Sequence, residues 1–213
     1  MLGSERMEIQ PKLSDTLIAQ LRNRWLTQTG QDALHRFLLS LKAHPLDWKR
    51  ELRTPDAPSV PANYPDLLTD LRGIELHNID LPGAQLPYVD LSYAVIGECD
   101  LKGVCLQGSK LSHASFKHCN LKHSDLLQVM ADHSLFEHCL MNQAVLGNGD
   151  FRESLFLDVQ LPGAILDSAD ISGSKMNKVN IEGAHTLFTK FPKGFTRNKG
   201  FPGPHGPRDP SPF

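Results

Sequence analysis

Residues 99–118 read CDLKG VCLQG SKLSH ASFKH, and this stretch shows the pattern that decides the fold. The middle residue of each group of five is large and apolar. These residues are Leu101, Leu106, Leu111 and Phe116. On both sides of this stretch, the same five-residue period continues without a break from Leu71 to Ile181. Among the middle residues of these units, only Ala131 is small. A fixed period indicates one structural unit repeated, and repeat proteins usually act as shaped surfaces.

The period of five matches neither an α-helix nor a simple β-strand, but it suits a short extended piece followed by a turn. The segments 81–84 and 161–164 both read Leu-Pro-Gly-Ala. Pro at the second position and Gly at the third are typical of a type II turn, whose third residue needs a positive φ. Gly recurs at this third position. The recurrences are Gly73, Gly103, Gly108, Gly173 and Gly183.

Units such as 99–103 (CDLKG) and 169–173 (ADISG) resemble the pentapeptide repeat family, whose unit is A(D/N)Lxx, over about residues 66–187. The resemblance implies an all-β solenoid, a right-handed quadrilateral β-helix of about six coils, with four units in each coil. The middle residue and the small residue two positions before it would point inward. Residues 20 apart would then stack. The clearest columns are Phe116, Phe136 and Phe156, and Cys99, Cys119 and Cys139.

The N-terminal segment, residues 1–53, is predicted to be helical. Ser14 can cap a first helix, Gly30 is expected to break it, and a second helix is expected from about residue 31 to residue 43. Because a solenoid exposes unpaired backbone groups at both ends, these helices are the candidate cap of one end.

Residues 54–65 hold four prolines and are interpreted as an extended linker, followed by the repeat at 66–187. The tail, residues 188–213, is rich in Pro and Gly and is predicted to be mostly disordered. The net charge of −2 is unevenly spread, since residues 66–187 hold 16 Asp and Glu against 8 Lys and Arg. The acidic repeat therefore disfavours direct nucleic-acid binding.

Several function classes are excluded by what the sequence lacks. It has no run of about 18 apolar residues, so no membrane span is expected. None of the common catalytic or phosphate-binding motifs occurs, so we predict a non-enzymatic protein without a cofactor. Four cysteines without metal-like spacing favour a reducing, cytoplasmic location.

Acidic side chains recur at the outward position before the middle residue, in two columns. The candidate partner-binding acids are Asp70, Asp90, Asp150 and Asp170 in one column, and Asp80 and Asp100 in the other. Carboxylates spaced along such a rod resemble the surface of topoisomerase-binding family members, which imitate duplex DNA. The alternative is that Asp at this position only suits the local turn.

Outward apolar residues provide a second candidate surface, for a partner or for a homodimer. These residues are Leu135, Leu155, Leu157, Val145 and Ile165. No metal site is predicted. The candidate ligands are His113, His133, His118 and His138, which form two outward ladders, but no Asp or Cys completes a coordination set, and solvated turn residues explain them.

We therefore expect a non-enzymatic protein-binding or scaffold protein that acts through the lateral surface of a β-helical rod. One alternative is a DNA mimic that binds a type II topoisomerase and confers inhibitor resistance or self-immunity. Another is a structural module whose helices carry the specificity, with Trp25 and Trp48 as contact candidates.

Overall fold

A computed structural model describes residues 12–43 and 68–195, which form two helices followed by a parallel β-solenoid. The helices are α1 (Asp15–Leu26) and α2 (Gln28–Ala43). The side chain of Ser14 accepts a hydrogen bond from the Leu17 N–H at 3.3 Å, which satisfies one of the free N–H groups of the first turn and confirms the predicted N-cap.

The strands are two or three residues long and come at regular intervals. They are β1 (Thr69–Asp70), β2 (Glu75–His77), β3 (Val89–Asp90), β4 (Val95–Gly97), β5 (Ser115–Lys117), β6 (Leu135–Glu137), β7 (Leu155–Leu157) and β8 (Lys175–Asn177). Strands β2, β4, β5, β6, β7 and β8 form a six-stranded parallel sheet, and β1 pairs with β3. Each strand pairs with residues 20 further along, as Phe116 does with Phe136, so about five turns separate the first strand from the last. The predicted solenoid is confirmed.

The coil has four sides, each marked by a ladder of paired residues. The Asp70 face carries Asp70, Asp90, Lys110, Met130, Asp150, Asp170 and Lys190. The sheet face is the outer surface of the six-stranded sheet. The Asp80 face carries Asp80, Asp100, Asn120, Leu140, Gln160 and Asn180, and the Gln85 face carries Gln85, Cys105, Asp125, Val145, Ile165 and His185. Because the faces follow one another in this order around the coil, the sheet face and the Gln85 face lie on opposite sides.

Backbone hydrogen bonds join successive coils at the corners from Gly73 to Ser168, as between the Gly73 N–H and the Ser92 carbonyl at 3.0 Å. Every fifth residue from Gly73 to Phe188 has a positive φ, between 52° and 72°. Gly occupies some of these corners, but His, Asn, Gln and Glu occupy others. Asn and His tolerate this left-handed conformation better than most side chains. The turn geometry is therefore imposed along the whole solenoid and is not restricted to the glycine-containing units.

The interior is a set of stacked apolar columns. The Phe116 and Phe156 rings each stack on the Phe136 ring with centroids 5.3 Å apart. The ring of Phe151, from the Asp70 face, fits at an angle beside them, 6.1 Å from Phe136. The predicted cysteine column is buried as well, with Cys99, Cys119 and Cys139 all inside the coil.

The helices pack on the first coil, as the predicted cap requires. The Trp25 indole N–H donates to the Arg72 carbonyl at 2.8 Å, and a Cβ at Gly73 would lie 2.8 Å from the carbonyl carbon of Leu21. The expectation that Gly30 breaks the helix is wrong, because Gly30 lies inside α2 and the break is at Thr27. Gly30 is needed for close packing instead, since a Cβ there would lie 2.2 Å from the Arg24 carbonyl oxygen.

At the C-terminal end, Phe191 packs against the core and its ring stacks on Phe195 with centroids 4.7 Å apart. Phe188 is 78% exposed and does not fold back onto the coil. The last bridge pairs Asp170 with Lys190. The predicted linker, residues 54–65, lies outside the described residues, as does the tail beyond residue 195.

Candidate functional site

The first carboxylate of the Asp70 face belongs to the junction between the helices and the solenoid. Both guanidinium nitrogens of Arg24 donate to the Asp70 carboxylate, at 2.8 and 2.9 Å, and Arg72 donates to it at 2.9 Å. Burial alone would raise the pKa of Asp70, but the hydrogen bonds from Arg72 and Arg24 outweigh burial and lower it from 3.8 to about 2. Asp70 therefore holds α1 against the first coil.

The next two acids of the Asp70 face are removed from solvent. Asp90 is 2% exposed and Asp150 is 5% exposed. Burial raises the pKa of Asp90, and the hydrogen bond from Ser92 offsets only part of the effect. The Asp150 carboxylate accepts a hydrogen bond from the Arg152 guanidinium at 2.6 Å. Neither side chain presents a free carboxylate to a partner, since both lie against their own coil.

The remaining predicted acids are also partnered, apart from Asp80. Lys190 donates to Asp170 at 2.9 Å; burial would raise the pKa of Asp170, but hydrogen bonds from Ser172 and Lys190 lower it. Asp100 accepts from the Asn120 amide at 2.8 Å. Asp80 is exposed at the start of the Asp80 face. The acidic columns are thus in the predicted register, while most of their carboxylates take part in contacts within the chain.

The predicted apolar residues divide between two opposite faces. Leu135, Leu155 and Leu157 lie together on the sheet face, where Leu135 pairs in register with Leu155. Val145 and Ile165 pair on the Gln85 face. A single flat partner surface cannot contact both groups. The three leucines form the larger cluster, which we call the leucine patch.

Polar groups surround the leucine patch. Ser115 precedes Leu135 in the ladder, and Lys175 follows Leu155. Lys117 donates to Glu137 at 2.9 Å beside the patch. An apolar centre with a polar rim is the usual organisation of a protein-binding surface.

The histidine ladders are present as predicted, at corners with positive φ. The rings of His113 and His133 have centroids 4.9 Å apart, and those of His118 and His138 are 4.7 Å apart. One residue was missed by the sequence reasoning: Asp132 lies beside His113 and His133, with one ligand atom of each residue within 4.8 Å of the others. The signal in the sequence was that Asp132 directly precedes His133. Sequence reasoning missed this because the three residues do not follow a regular metal-ligand spacing.

The cysteines carry no disulfide. Cys99, Cys119 and Cys139 are buried, and the thiol of Cys139 donates to the Phe116 carbonyl at 3.4 Å. Cys105 is a free, partly exposed thiol on the Gln85 face.

Trp25, a candidate contact residue, is 2% exposed and packs at the helix–solenoid junction, whereas Trp48 lies outside the described residues. Within the described residues, no helix has the length and apolar character needed to cross a membrane.

Residues 99–137 match the family model of pentapeptide repeats, in eight copies. The family predicted from the sequence is therefore confirmed for this segment. A comparison with curated proteins found no match.

Several solved structures resemble the chain. HetL, a pentapeptide repeat protein involved in heterocyst differentiation regulation in Nostoc sp. strain PCC 7120, is 23% identical with a TM-score of 0.32, over 55% of this chain and 62% of HetL. A pentapeptide repeat protein from the Arabidopsis thaliana thylakoid lumen is 23% identical with a TM-score of 0.34, over 53% of this chain and 65% of that protein. The chain thus spans less than two thirds of either protein.

Full-length QnrB1, a plasmid-mediated fluoroquinolone resistance protein, also matches, at 14% identity and a TM-score of 0.20, over 55% of this chain and 79% of QnrB1. At these identities and TM-scores, the three likenesses carry no information on the function of this chain.

Proposed function

We propose that the protein is a non-enzymatic binding protein that contacts a protein partner through the leucine patch. The observation that carries this proposal is the position of Leu135, Leu155 and Leu157 on adjacent strands of a regular sheet, half-buried and facing outward. Their inward neighbours, Phe136 and Phe156, already fill the core. The leucines are therefore not needed to complete the interior, and they remain available to a partner.

The supporting strands fix the shape of the patch. Strands β6 and β7 are central in the six-stranded sheet, so each is hydrogen-bonded on both sides. The patch is therefore a rigid surface, and this chain loses little conformational freedom when a partner binds. Taking a leucine side chain from full exposure to full burial is worth about 1.5–3 kcal/mol, so each of these half-buried leucines contributes less than that to a complex. The patch can thus supply the central contacts of an interface.

The rim provides a basis for selecting the partner. The Lys117–Glu137 pair and the His138–Asp158 pair, the latter at 3.2 Å, lie at the edges of the patch. A typical interface buries roughly 800 Å² on each side, which is more than three leucines offer. The partner must therefore also contact these charged side chains, and complementary charges at the rim govern which partner associates quickly.

Affinity capture from cells of the source organism, with quantitative mass spectrometry, tests this proposal. Leu135→Thr combined with Leu155→Thr removes most of the apolar surface and introduces β-branched residues that suit a strand. The matched control is Val145→Ser combined with Ile165→Thr on the opposite face. We expect the leucine variant to capture at least tenfold less partner than the wild type, and the control to capture as much as the wild type. Equal capture by both variants would refute the proposal.

Self-association is measured in the same preparation by light scattering after size-exclusion chromatography. If the wild type is a dimer and the leucine variant a monomer, the patch binds a second copy of the chain. If both are monomers and capture still depends on the leucines, the partner is another protein. The four free thiols support a reducing, cytoplasmic location for that encounter.

DNA mimicry toward a type II topoisomerase is the second candidate, and the excess of acidic residues in 66–187 is the observation that favours it. Burial of Asp90 and Asp150 and pairing of Asp70 with two arginines count against it. In a DNA gyrase supercoiling assay, with and without a fluoroquinolone, we expect no inhibition and no protection at micromolar concentration. Inhibition that is lost on Asp80→Lys and Asp100→Lys would place mimicry ahead of the leucine patch.

A further inference from the structure

We propose that His113, Asp132 and His133 form a binding site for a divalent transition-metal ion of the zinc type. One nitrogen of each imidazole and one carboxylate oxygen of Asp132 lie within 4.8 Å of one another. The three residues lie at the corner between the Asp70 face and the sheet face, and His133 is two residues before Leu135 of the leucine patch. Two imidazoles and a carboxylate are a donor set that zinc and its neighbours in the periodic table accept.

The donor atoms need only a small adjustment to bind an ion. Zinc binds imidazole nitrogen and carboxylate oxygen at about 2.0–2.2 Å, so donors around a tetrahedral ion are about 3.4 Å apart. Side-chain rotations would have to bring the farthest donors up to about 1.4 Å closer to reach this spacing. The two imidazole rings are already adjacent, with centroids 4.9 Å apart and planes inclined by 33°.

The backbone holds the two histidines in place. Both lie at the same corner in successive coils, with φ of 60° and 58°. The His113 N–H donates to the Asp132 carbonyl at 3.1 Å, which ties the two coils together at the site itself. The Tyr93 ring stacks on the other side of His113, with centroids 4.8 Å apart. Sites built on regular backbone hold their ligands more accurately than sites on loops.

Asp132 is oriented as a metal-binding carboxylate usually is. It is 3% exposed, and one of its oxygens accepts a hydrogen bond from the Ser112 hydroxyl at 2.5 Å. The other oxygen lies 3.2 Å from Nδ1 of His133. Hydrogen bonds of this kind fix the direction of the free lone pairs of a carboxylate ligand. His133 is exposed, so an ion can reach the site from solvent and keep a water molecule as its fourth ligand.

The second histidine pair provides an internal comparison. His118 and His138 stack in the same way at the next corner, between the sheet face and the Asp80 face, with ring centroids 4.7 Å apart. The acid that corresponds to Asp132 there is Glu137, which is bonded to Lys117 at 2.9 Å, whereas Asp132 is bonded to the uncharged Ser112. A lysine ammonium next to the carboxylate repels a cation. Asp158 lies 3.2 Å from Nδ1 of His138, but among the described residues only His113, Asp132 and His133 bring three ligand atoms within 4.8 Å of one another.

The test is titration of the full-length, untagged protein with zinc chloride by isothermal calorimetry, with Co²⁺ absorption as a report on tetrahedral coordination. We expect one equivalent to bind. His113→Asn combined with His133→Asn should weaken binding at least 100-fold, and Asn tolerates the positive φ of both corners. Asp132→Asn, which changes only one atom of the side chain, should weaken it at least 30-fold. Ser112→Ala should weaken it about tenfold by releasing Asp132.

The control is His118→Asn combined with His138→Asn, which should leave affinity and stoichiometry unchanged. Far-UV circular dichroism and the thermal midpoint establish that each variant is folded. The proposal is overturned if zinc does not bind below about 1 mM. It is also overturned if Asp132→Asn binds zinc as the wild type does, or if the control loses binding as strongly as the His113 and His133 variant.

Discussion

Truncation of Phe136 probes the stacked core most sharply. Phe136 is fully buried, and its ring is stacked between Phe116 and Phe156 with Phe151 against its edge. Replacing a buried Phe by Ala generally costs about 3–5 kcal/mol. Phe136 should reach the upper end, because the flanking coils are fixed at strand spacing by backbone hydrogen bonds and cannot collapse into the cavity. The three lost ring contacts, with Phe116, Phe151 and Phe156, are part of this cost and favour its upper end.

Equilibrium urea unfolding followed by far-UV circular dichroism measures this loss. Leu157→Ala, one residue from Phe156 on the same strand but facing outward, is the matched control and should cost about 1 kcal/mol or less. Agreement of the urea dependence between variants is needed, since repeat arrays can unfold in more than one step. A loss below about 1 kcal/mol for Phe136→Ala would contradict the register and the stacked column.

Three further predictions follow from contacts described above. Folding lowers the pKa of Asp70 from 3.8 to about 2, so this group contributes about 2 kcal/mol of stability above pH 4, which is lost as the pH falls toward 2. Urea titrations at a series of pH values measure this dependence, and Asp70→Asn should abolish the part that comes from Asp70. Gly30→Ala should destabilise the helix pair by at least about 2 kcal/mol, because the added Cβ would collide with the backbone of Arg24 and Trp25. The change in Trp fluorescence on unfolding should then occur at a lower urea concentration than in the wild type. Cys105 should be the single thiol that reacts rapidly with a thiol reagent in the folded protein, since the other three are buried.

Each of these has a clear contrary result. An acid profile of Asp70→Asn that parallels the wild type would show that the Arg24 contact does not hold the junction. A Gly30→Ala variant as stable as the wild type would mean that α1 and α2 do not pack as closely as described. Rapid labelling of more than one cysteine would show that the cysteine column is open to solvent.

The solenoid could be predicted from the sequence because each unit repeats the same local requirement. An apolar residue every five positions points inward only if the chain turns after each unit. Four units in each coil is what the resemblance to the pentapeptide repeat family implies, and the recurrence of Phe116, Phe136 and Phe156 at 20-residue intervals supports it. No distant contact needs to be known for this argument. The role of Gly30 could not be predicted in this way, because it depends on how closely the two helices approach. In the sequence alone, a single Gly indicates a helix break equally well.

The candidate sites were less accessible to sequence reasoning because they depend on pairs that are far apart in the chain. The carboxylate of Asp70 is paired by Arg24, 46 residues earlier, and no pattern in the repeat indicates this. Position in a ladder likewise shows that Asp90 faces away from the core column, but not that it is buried. Because residues 20 apart stack, the sequence separates Leu135 and Leu155 from Val145 and Ile165. How far each of these side chains is exposed does not follow from the spacing.

Hydroxyl-radical footprinting of the protein with its captured partner tests the binding surface most directly. Oxidation of each leucine side chain is measured by mass spectrometry in the free and the bound protein. The account predicts that Leu135, Leu155 and Leu157 are protected at least threefold on binding, while Val145 and Ile165 on the opposite face are oxidised as in the free protein. Protection of Val145 and Ile165 with unchanged oxidation of the three leucines would contradict it.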